Sequence, residues 1–331
     1  MNIYDIADKA GFSIATVSRV LNNSQNVSPK TKQKVLDVMQ ELGYTPNVFA
    51  RGLNLNSMKM IGVLCTDVSD IFYSKAVSVI ESSLRQHGFD AILCCTGDNL
   101  SDKKKYMNLL LEKRVDALIL VGSTFKEKHD NSHIEAIASS IPVIIINGLI
   151  QLPNTYCILS DEFQAMYDNV VNLYHKGCRT LLYLYDVDTF SGTQKLNGYK
   201  QALKDCGLEA ASELIIKVTK NLDDIKAVIW ALLDKGIVLS AVLASEDILA
   251  IFAMKSLMEK GYSIPKDISI IGFNNSLLAE CSTPSLTSID NMVATLCTTA
   301  VTTLTNVFSG ESVSNKIIIS CKLVERDTFI P

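Results

Sequence analysis

The spacing of apolar residues changes once along this chain, near Lys59, and that change limits what it can fold into. Before it, apolar residues recur at helical spacing. Ile3, Ile6, Ala7 and Ala10 fall at i, i+3, i+4 and i+7, and Val17, Val20 and Leu21 share one side of a second segment. Val35, Val38, Met39 and Leu42 form a third stripe. After Lys59, short continuous apolar runs appear at Met60–Cys65, Asp90–Cys95, Ala117–Val121 and Val143–Ile146, then at 180–185, 241–244 and 268–273. Helical stretches at 74–87, 102–114, 162–176, 195–206, 222–235 and 246–260 separate them. Buried strands alternating with helices make βαβ units and parallel sheets. The expected fold is a small all-α head followed by a two-lobed α/β core, which suits 331 residues better than one compact module does.

The head reads in more detail. Asn2 is placed to cap a first helix, Gly11 ends it, and Ser13 caps a second helix running to about Leu21. With Val17, Val20 and Leu21 turned inward, Ala15, Ser18 and Arg19 point outward, flanked by Ile14 and Thr16. Two short helices joined by a glycine turn form the helix-turn-helix pattern, and a small, polar, basic outer face suits a nucleic-acid groove. An ordinary amphipathic hairpin would show the same first two helices, so the segments after Leu21 decide between the two. Residues 22–26 are a polar loop, and Ser28-Pro29 open a third helix that Gly43 closes. Residues 47–55 make a short helical stretch of about nine residues, below the length at which an isolated helix holds in water. Gly52 costs it about 1 kcal/mol relative to Ala.

Charge divides along the same line. Residues 1–60 hold seven Lys/Arg against four Asp/Glu, or +3, and the rest holds 24 against 31, or −7, which together give the overall −4. A basic head on an acidic body confines phosphate attraction to the head. No apolar run precedes a cleavage site and none reaches 18 residues, so a cytoplasmic protein, neither exported nor in a membrane, is expected. The nine cysteines form no CxxC pair, and the four histidines have no ligand spacing, so reduced thiols and no metal or cofactor are expected.

The pieces IYDIADKAGFSIATVSRVLNN, NVSPKTKQKVLDVMQELGYTPN and FARGL, in that order, resemble the LacI/GalR family of bacterial transcription regulators. In the remainder, IGVLCTDVSDIFY, EKRVDALILVGS, KLNGYKQALKDCGL, DISIIGFNNSLLAECSTPSLTSID and KLVERDT resemble that family's periplasmic-binding-protein-like core. The resemblance implies a head at 1–46, a hinge at 47–58 and an effector-binding, dimerising core at 59–331. Lobe 1 would take about 59–159 plus 291–320, and lobe 2 about 160–290 plus 321–331, with crossings near Ser160, Asn291 and Cys321. It also implies a homodimer, formed partly through the helix after the first core strand, on a pseudo-palindromic double-stranded DNA operator. DNA contacts are expected from Ser13, Ile14, Ala15, Thr16, Ser18, Arg19, Asn22, Ser28, Thr31, Tyr44, Asn47, Ala50 and Arg51. Leu53 is expected to wedge into the minor groove.

Ligands of open α/β sheets bind beyond the carboxyl ends of the strands. The expected effector residues are therefore Asp67, Asp70, Phe72, Tyr73, Asn147, Ser160, Asp161, Ser191, Lys195, Glu246, Asp247 and Asn274. Such positions are also where helix N-caps fall, and Asp161 and Asp247 fit that simpler role. Aromatic faces beside carboxylates and amides suit a sugar. Four positions depart from the family pattern: Lys195 for its usual arginine, Glu246-Asp247 for Asn-Asp, Asn274 for Asp and Ser160 for Asp. Without an arginine fork, an anionic effector is disfavoured. The expectation is a repressor of carbohydrate-utilisation genes with a neutral saccharide effector. A nucleobase- or co-repressor-responsive regulator and a free-standing sugar-binding protein are the alternatives. No nucleophile elbow, P-loop or dinucleotide fingerprint points to an enzyme.

Overall fold

A computed structural model describes residues 3–21, 26–43 and 57–330. The chain divides into two compact units, residues 1–60 with 114–116, and the remainder.

In the first unit, α1 (Ile3–Ala10), α2 (Ile14–Leu21) and α3 (Pro29–Glu41) share one small core. Ile6, Ala7, Ala10, Val17, Val20, Val35, Val38 and Met39 are buried together, all of them on the stripes that helical spacing marks out, with Leu21 and Leu42 partly buried against them. Gly11 makes the turn after α1 with φ +71°, a conformation that costs glycine little. The hydroxyls of Ser13 and Ser28 accept from the amides of Thr16 and Thr31, each at 3.2 Å, capping α2 and α3. Lys9 pairs with Glu41 at 2.7 Å across α1 and α3, an exposed pair of small energetic weight. Asp116 holds the segment entering the core strand by accepting from the amides of Met58 and Met60 at 3.1 and 3.0 Å. The expected Asn2 cap and the 47–55 helix lie outside the described residues.

The second unit holds two six-stranded sheets. In the first, β1 (Met60–Cys65), β2 (Asp90–Cys95), β3 (Ala117–Val121), β4 (Val143–Ile146), β5 (Thr155–Ser160) and β11 (Lys316–Ile319) run in the order β11-β5-β4-β3-β1-β2. The second sheet has β6 (Leu181–Tyr185), β7 (Ile215–Lys217), β8 (Ala241–Ala244), β9 (Ser269–Phe273), β10 (Thr287–Asp290) and β12 (Lys322–Val324). Their order is β12-β10-β9-β8-β6-β7, with β12 antiparallel to β10. β3 and β4 are buried at every position, as strands covered on both faces must be.

The helices α4 (Ile71–Gln86), α5 (Leu100–Glu112), α6 (Ser132–Ala138) and α12 (Val293–Phe308) follow strands of the first sheet or enter it from the second. The second sheet carries α7 (Glu162–His175), α8 (Phe190–Asp205), α9 (Leu222–Asp234), α10 (Asp247–Glu259) and α11 (Leu277–Cys281). The chain passes between sheets after Ser160, after Asp290 and between Ile319 and Lys322. α12 went unread in the sequence, yet Leu296, Cys297, Ala300, Val301 and Leu304 bury one face against Ala76, Ile80 and Leu84 of α4. Gly198 lets α8 approach α7 closely, because a Cβ there would sit 2.2 Å from the carbonyl oxygen of Phe163.

Among the described residues, no helix is long and apolar enough to cross a membrane, and no group of metal-ligating side chains converges. The nine cysteines are free thiols.

Candidate functional site

Two places in the chain gather functional side chains, and they lie in different units. In the head, burial of Val17 and Val20 fixes the rotation of α2 about its axis. Ile14, Ala15 and Arg19 are exposed as a result, and Thr16 and Ser18 are half-buried beside them. Ser13 and Ser28 are exposed at the starts of α2 and α3, while Thr31 turns its hydroxyl to that of Ser28 at 2.9 Å. The outward face thus carries one guanidinium, small groups and an apolar residue. Asn22, Tyr44, Asn47, Ala50, Arg51 and Leu53 lie outside the described residues.

The second place is a cleft of about 250 Å³ where the strand ends of the two sheets face each other. Both sheets reverse their strand order there, between β1 and β3 and between β6 and β8, which is where open α/β sheets leave a crevice. Asp67, Asp70, Phe72, Tyr73, Asn147, Ser191, Lys195, Glu246 and Asn274 line it.

The wall from the first sheet is set by backbone chemistry. Asp70 caps α4, accepting from the amide of Phe72 at 2.9 Å, and so aims the aromatic pair Phe72–Tyr73 into the cleft. Gly122, at φ +101°, makes room for Tyr73, since a Cβ there would lie 2.6 Å from the phenol oxygen. Burial pushes that phenol above its ordinary range. Asn147 holds a left-handed φ of 58° that asparagine tolerates, and its side-chain oxygen accepts from the Ser160 amide at 2.8 Å.

On the floor, Lys195 lies 3.6 Å from Glu162, both buried, and donates to the carbonyl of Ser245 at 3.1 Å. Its ammonium sits 3.9 Å from the centre of the Phe273 ring. Ser191 donates to the same Glu162 carboxylate at 2.6 Å. At the mouth, Lys220 lies 2.7 Å from Glu246, 3.1 Å from Asp70 and 3.6 Å from Asp186. Burial pushes the Glu246 carboxyl up to about 7, with the Asp186 charge adding to the rise and Lys220 opposing it. Each cation of the cleft is committed to carboxylates of the protein itself.

Three expected cleft residues do not line it. Ser160 is buried and donates to the carbonyl of Asn291 at 2.8 Å, so it joins two chain crossings. Asp161 caps α7 through the Gln164 amide at 3.2 Å. Asp247 turns away to accept from Ser288 at 2.5 Å and from the Ser276 amide at 2.7 Å, and burial raises its carboxyl. Conversely, Glu162, Asp186, Lys220 and Asp98 line the cleft and were not anticipated. Asp186 and Asp98 were within reach of the strand-end rule, because Asp186 follows β6 directly and Asp98 stands three residues past β2. Lys220 follows β7, a three-residue edge strand too short to read from apolar spacing.

A larger cavity of about 770 Å³ adjoins the cleft and shares Asp70, Phe72, Lys220 and Glu246 with it. Ile71, Ile248, Leu277, Leu278 and Val293 give it an apolar wall, opposite which Asp247, Asn275 and Asp290 line it together with Asn274 and Asn291, which it also shares with the smaller cleft.

Residues 2–47 match the family described as bacterial regulatory proteins, lacI family, and residues 58–327 match the periplasmic binding proteins and sugar binding domain of the LacI family. The chain is 52% identical over 330 residues to an HTH-type transcriptional regulator of Lachnoclostridium phytofermentans, covering 99% of both. The Lac repressor dimer bound to operator and the anti-inducer ONPF superposes with a TM-score of 0.89 at 26% identity, covering 100% of this chain and 99% of that one. A periplasmic binding protein/LacI transcriptional regulator from Alkaliphilus metalliredigens, complexed with D-xylulofuranose, gives a TM-score of 0.71 at 27% identity. That match covers 82% of this chain and 100% of the other. A capped helix-turn-helix whose outward face carries an arginine, followed by two facing sheets around a polar cleft, is an arrangement of DNA-binding regulators, and the chain belongs to the LacI family of transcriptional regulators.

Proposed function

We propose that the chain is a dimeric repressor whose operator affinity is switched by a small, uncharged, polyhydroxylated ligand in the cleft. The observation that carries this reading is the cleft's chemistry. Carboxylates and amides converge beside Phe72 and Tyr73, and both lysines are already paired with carboxylates. Hydroxyl groups donate well to carboxylates, and ring faces stack on aromatics. An anion would meet repulsion without a free cation. The relative complexed with D-xylulofuranose supports the same class.

In this reading Asp67, Asp70, Phe72, Tyr73, Asn147, Ser191, Lys195, Glu246 and Asn274 contact the ligand, joined by Asp186 and Glu162. Two heads read two half-sites with α2 in the major groove, Arg19 supplying the specific hydrogen bonds and Leu53 the minor-groove wedge. The exposed apolar residues Val68, Ile71 and Leu277 beside α4 and α11 suit the dimer contact. Ligand closing the cleft shifts the lobes and hence the two hinges, coupling the sites through one two-state element.

A thermal-shift screen of the full chain against monosaccharides, with operator affinity measured in parallel, tests this. A ligand at 100 times its Kd adds about 2.7 kcal/mol of stability. Stabilisation by an uncharged sugar together with a changed operator affinity is the expected result. Stabilisation by sugar phosphates and by no uncharged sugar would overturn the ligand class.

A further inference from the structure

The ammonium of Lys220 lies among three carboxylates contributed by both sides of the cleft. Asp70 belongs to the start of α4, beside the first sheet, while Glu246 and Asp186 follow β8 and β6 of the second. The carboxylates are held in place independently of the lysine. Asp70 uses one oxygen to cap α4 and the other to meet Lys220. Asp186 accepts from the Ser245 hydroxyl at 3.0 Å through the oxygen that does not face Lys220. The root of the lysine is fixed as well. Val218 is buried and donates its amide to the Tyr185 carbonyl at 2.8 Å, and Asn221 caps α9 through the amide of Asp223 at 2.8 Å. The carboxylates are less exposed than the cation, at 7%, 23% and 27% against 40%. The acidic site is therefore built into the walls, and its occupant reaches in from the rim.

We propose that Lys220 is a tethered cation that fills this acidic mouth and bridges the two lobes, so that the cleft admits uncharged ligands and removal of the ammonium leaves a site for a small primary amine. This rests on reading the cleft as the ligand site. A tethered group competes at a local concentration in the millimolar range or above, so a free cation binding weakly cannot displace it. Beneath it, Lys195 offsets Glu162 on the floor, and the ligand meets acceptors without a vacant cation position. Lys220 in this view sets specificity by occupying the position an amine would take.

Chemical rescue of the full chain tests the assignment. In Lys220→Ala the thermal midpoint falls, and ethylammonium chloride at tens of millimolar raises it by about 2–4 °C in a saturable way. Wild type does not move under the same treatment, and neither sodium chloride nor tetramethylammonium chloride at equal ionic strength rescues the variant. Adding Asp70→Asn to Lys220→Ala weakens the ethylammonium response, because one wall of the site is lost. If Lys220→Ala does not fold, Lys220→Met keeps the aliphatic stem and serves in its place. A response equal in wild type and variant, or reproduced by sodium chloride, overturns the tethered cation. Operator affinity measured in the same samples separates this from the switch. Ethylammonium-specific stabilisation without any change in operator affinity keeps the tethered cation and sinks the coupling of cleft to head.

Discussion

The hydroxyl of Ser160 donates to the backbone carbonyl of Asn291 at 2.8 Å, tying the first chain crossing between the lobes to the second. Asn291 in turn donates through its side chain to Asn274 at 2.9 Å, just after β9, and the Ser160 amide donates to the Asn147 side-chain oxygen. Four short polar residues thus form one connected cluster at the pivot, and a carboxylate at 160 would have met the Asn291 carbonyl with no proton to give.

Ser160→Ala should destabilise the core by about 1–3 kcal/mol, since it leaves the buried Asn291 carbonyl without its donor. Urea unfolding of the full chain monitored at the core transition measures this. A loss below about 0.5 kcal/mol would mean that the carbonyl finds another partner and that the crossings are not held through this bond.

Lys195 and Glu162 set a larger test. Both are buried, at 8% and 3% side-chain exposure, so removing the cation strands a carboxylate. Lys195→Met should cost about 3–5 kcal/mol, whereas Lys195→Met with Glu162→Gln should recover much of it, because removing both charges also removes their desolvation. The denaturant midpoints of both variants decide the matter. A double variant no more stable than the single would show that the pair is held by its hydrogen bonds to Ser191 and Ser245 rather than by charge.

Arg19 projects from the face of α2 that Val17 and Val20 leave outside. Arg19→Ala should relax discrimination at one base pair per half-site by about 1–3 kcal/mol. Binding to a panel of operator variants separates the roles, since equal weakening on every sequence would make Arg19 a phosphate contact.

The parts that were legible in the sequence share a physical trait: a long repeat of burial. The head's three helices and the buried runs of β1, β3, β4, β8 and β9 declare themselves because one face, or both, is apolar throughout. α12 does not, although its buried residues keep helical spacing, because Thr and Val fill its sequence and prefer strands; packing on α4 overrides that preference. β7 and β12, three residues each, are too short to carry a period and exist through pairing with β6 and β10. The cleft follows the same divide. Most cleft residues named from the sequence stand just after readable strands, although Asp186 after β6 is not among them, and Lys220 after β7 lies beyond that rule. Asp247 lines the adjoining cavity and not the smaller cleft, since the strand-end rule gives position and leaves the direction of the side chain open. Its carboxylate is claimed by Ser276 and Ser288 on the far side of β9.

Glu246 makes the cleft's titration measurable. Burial pushes its carboxyl up to about 7, and the Asp186 and Asp70 charges facing it add to that, against Lys220. In the unfolded chain the group titrates near 4.3. A carboxyl with a raised folded pKa binds its proton more tightly when folded, so its contribution is fully present below about 4.3 and is lost as pH rises through about 7. Above that, both states are ionised and the trend ends. Glu246→Gln removes the titration while keeping the shape. The thermal midpoint of wild type, taken relative to Glu246→Gln, should therefore fall between pH 5 and 7.5 and level off by pH 8. Taking the difference cancels groups with the opposite trend, such as His133, whose burial lowers its pKa so that it loses stability as pH falls through the range below 6.5. Differential scanning fluorimetry at constant ionic strength supplies the measurement. A difference that stays flat from pH 5 to 8 would mean that Lys220 holds Glu246 ionised throughout, and that the mouth of the cleft carries its full negative charge at neutral pH.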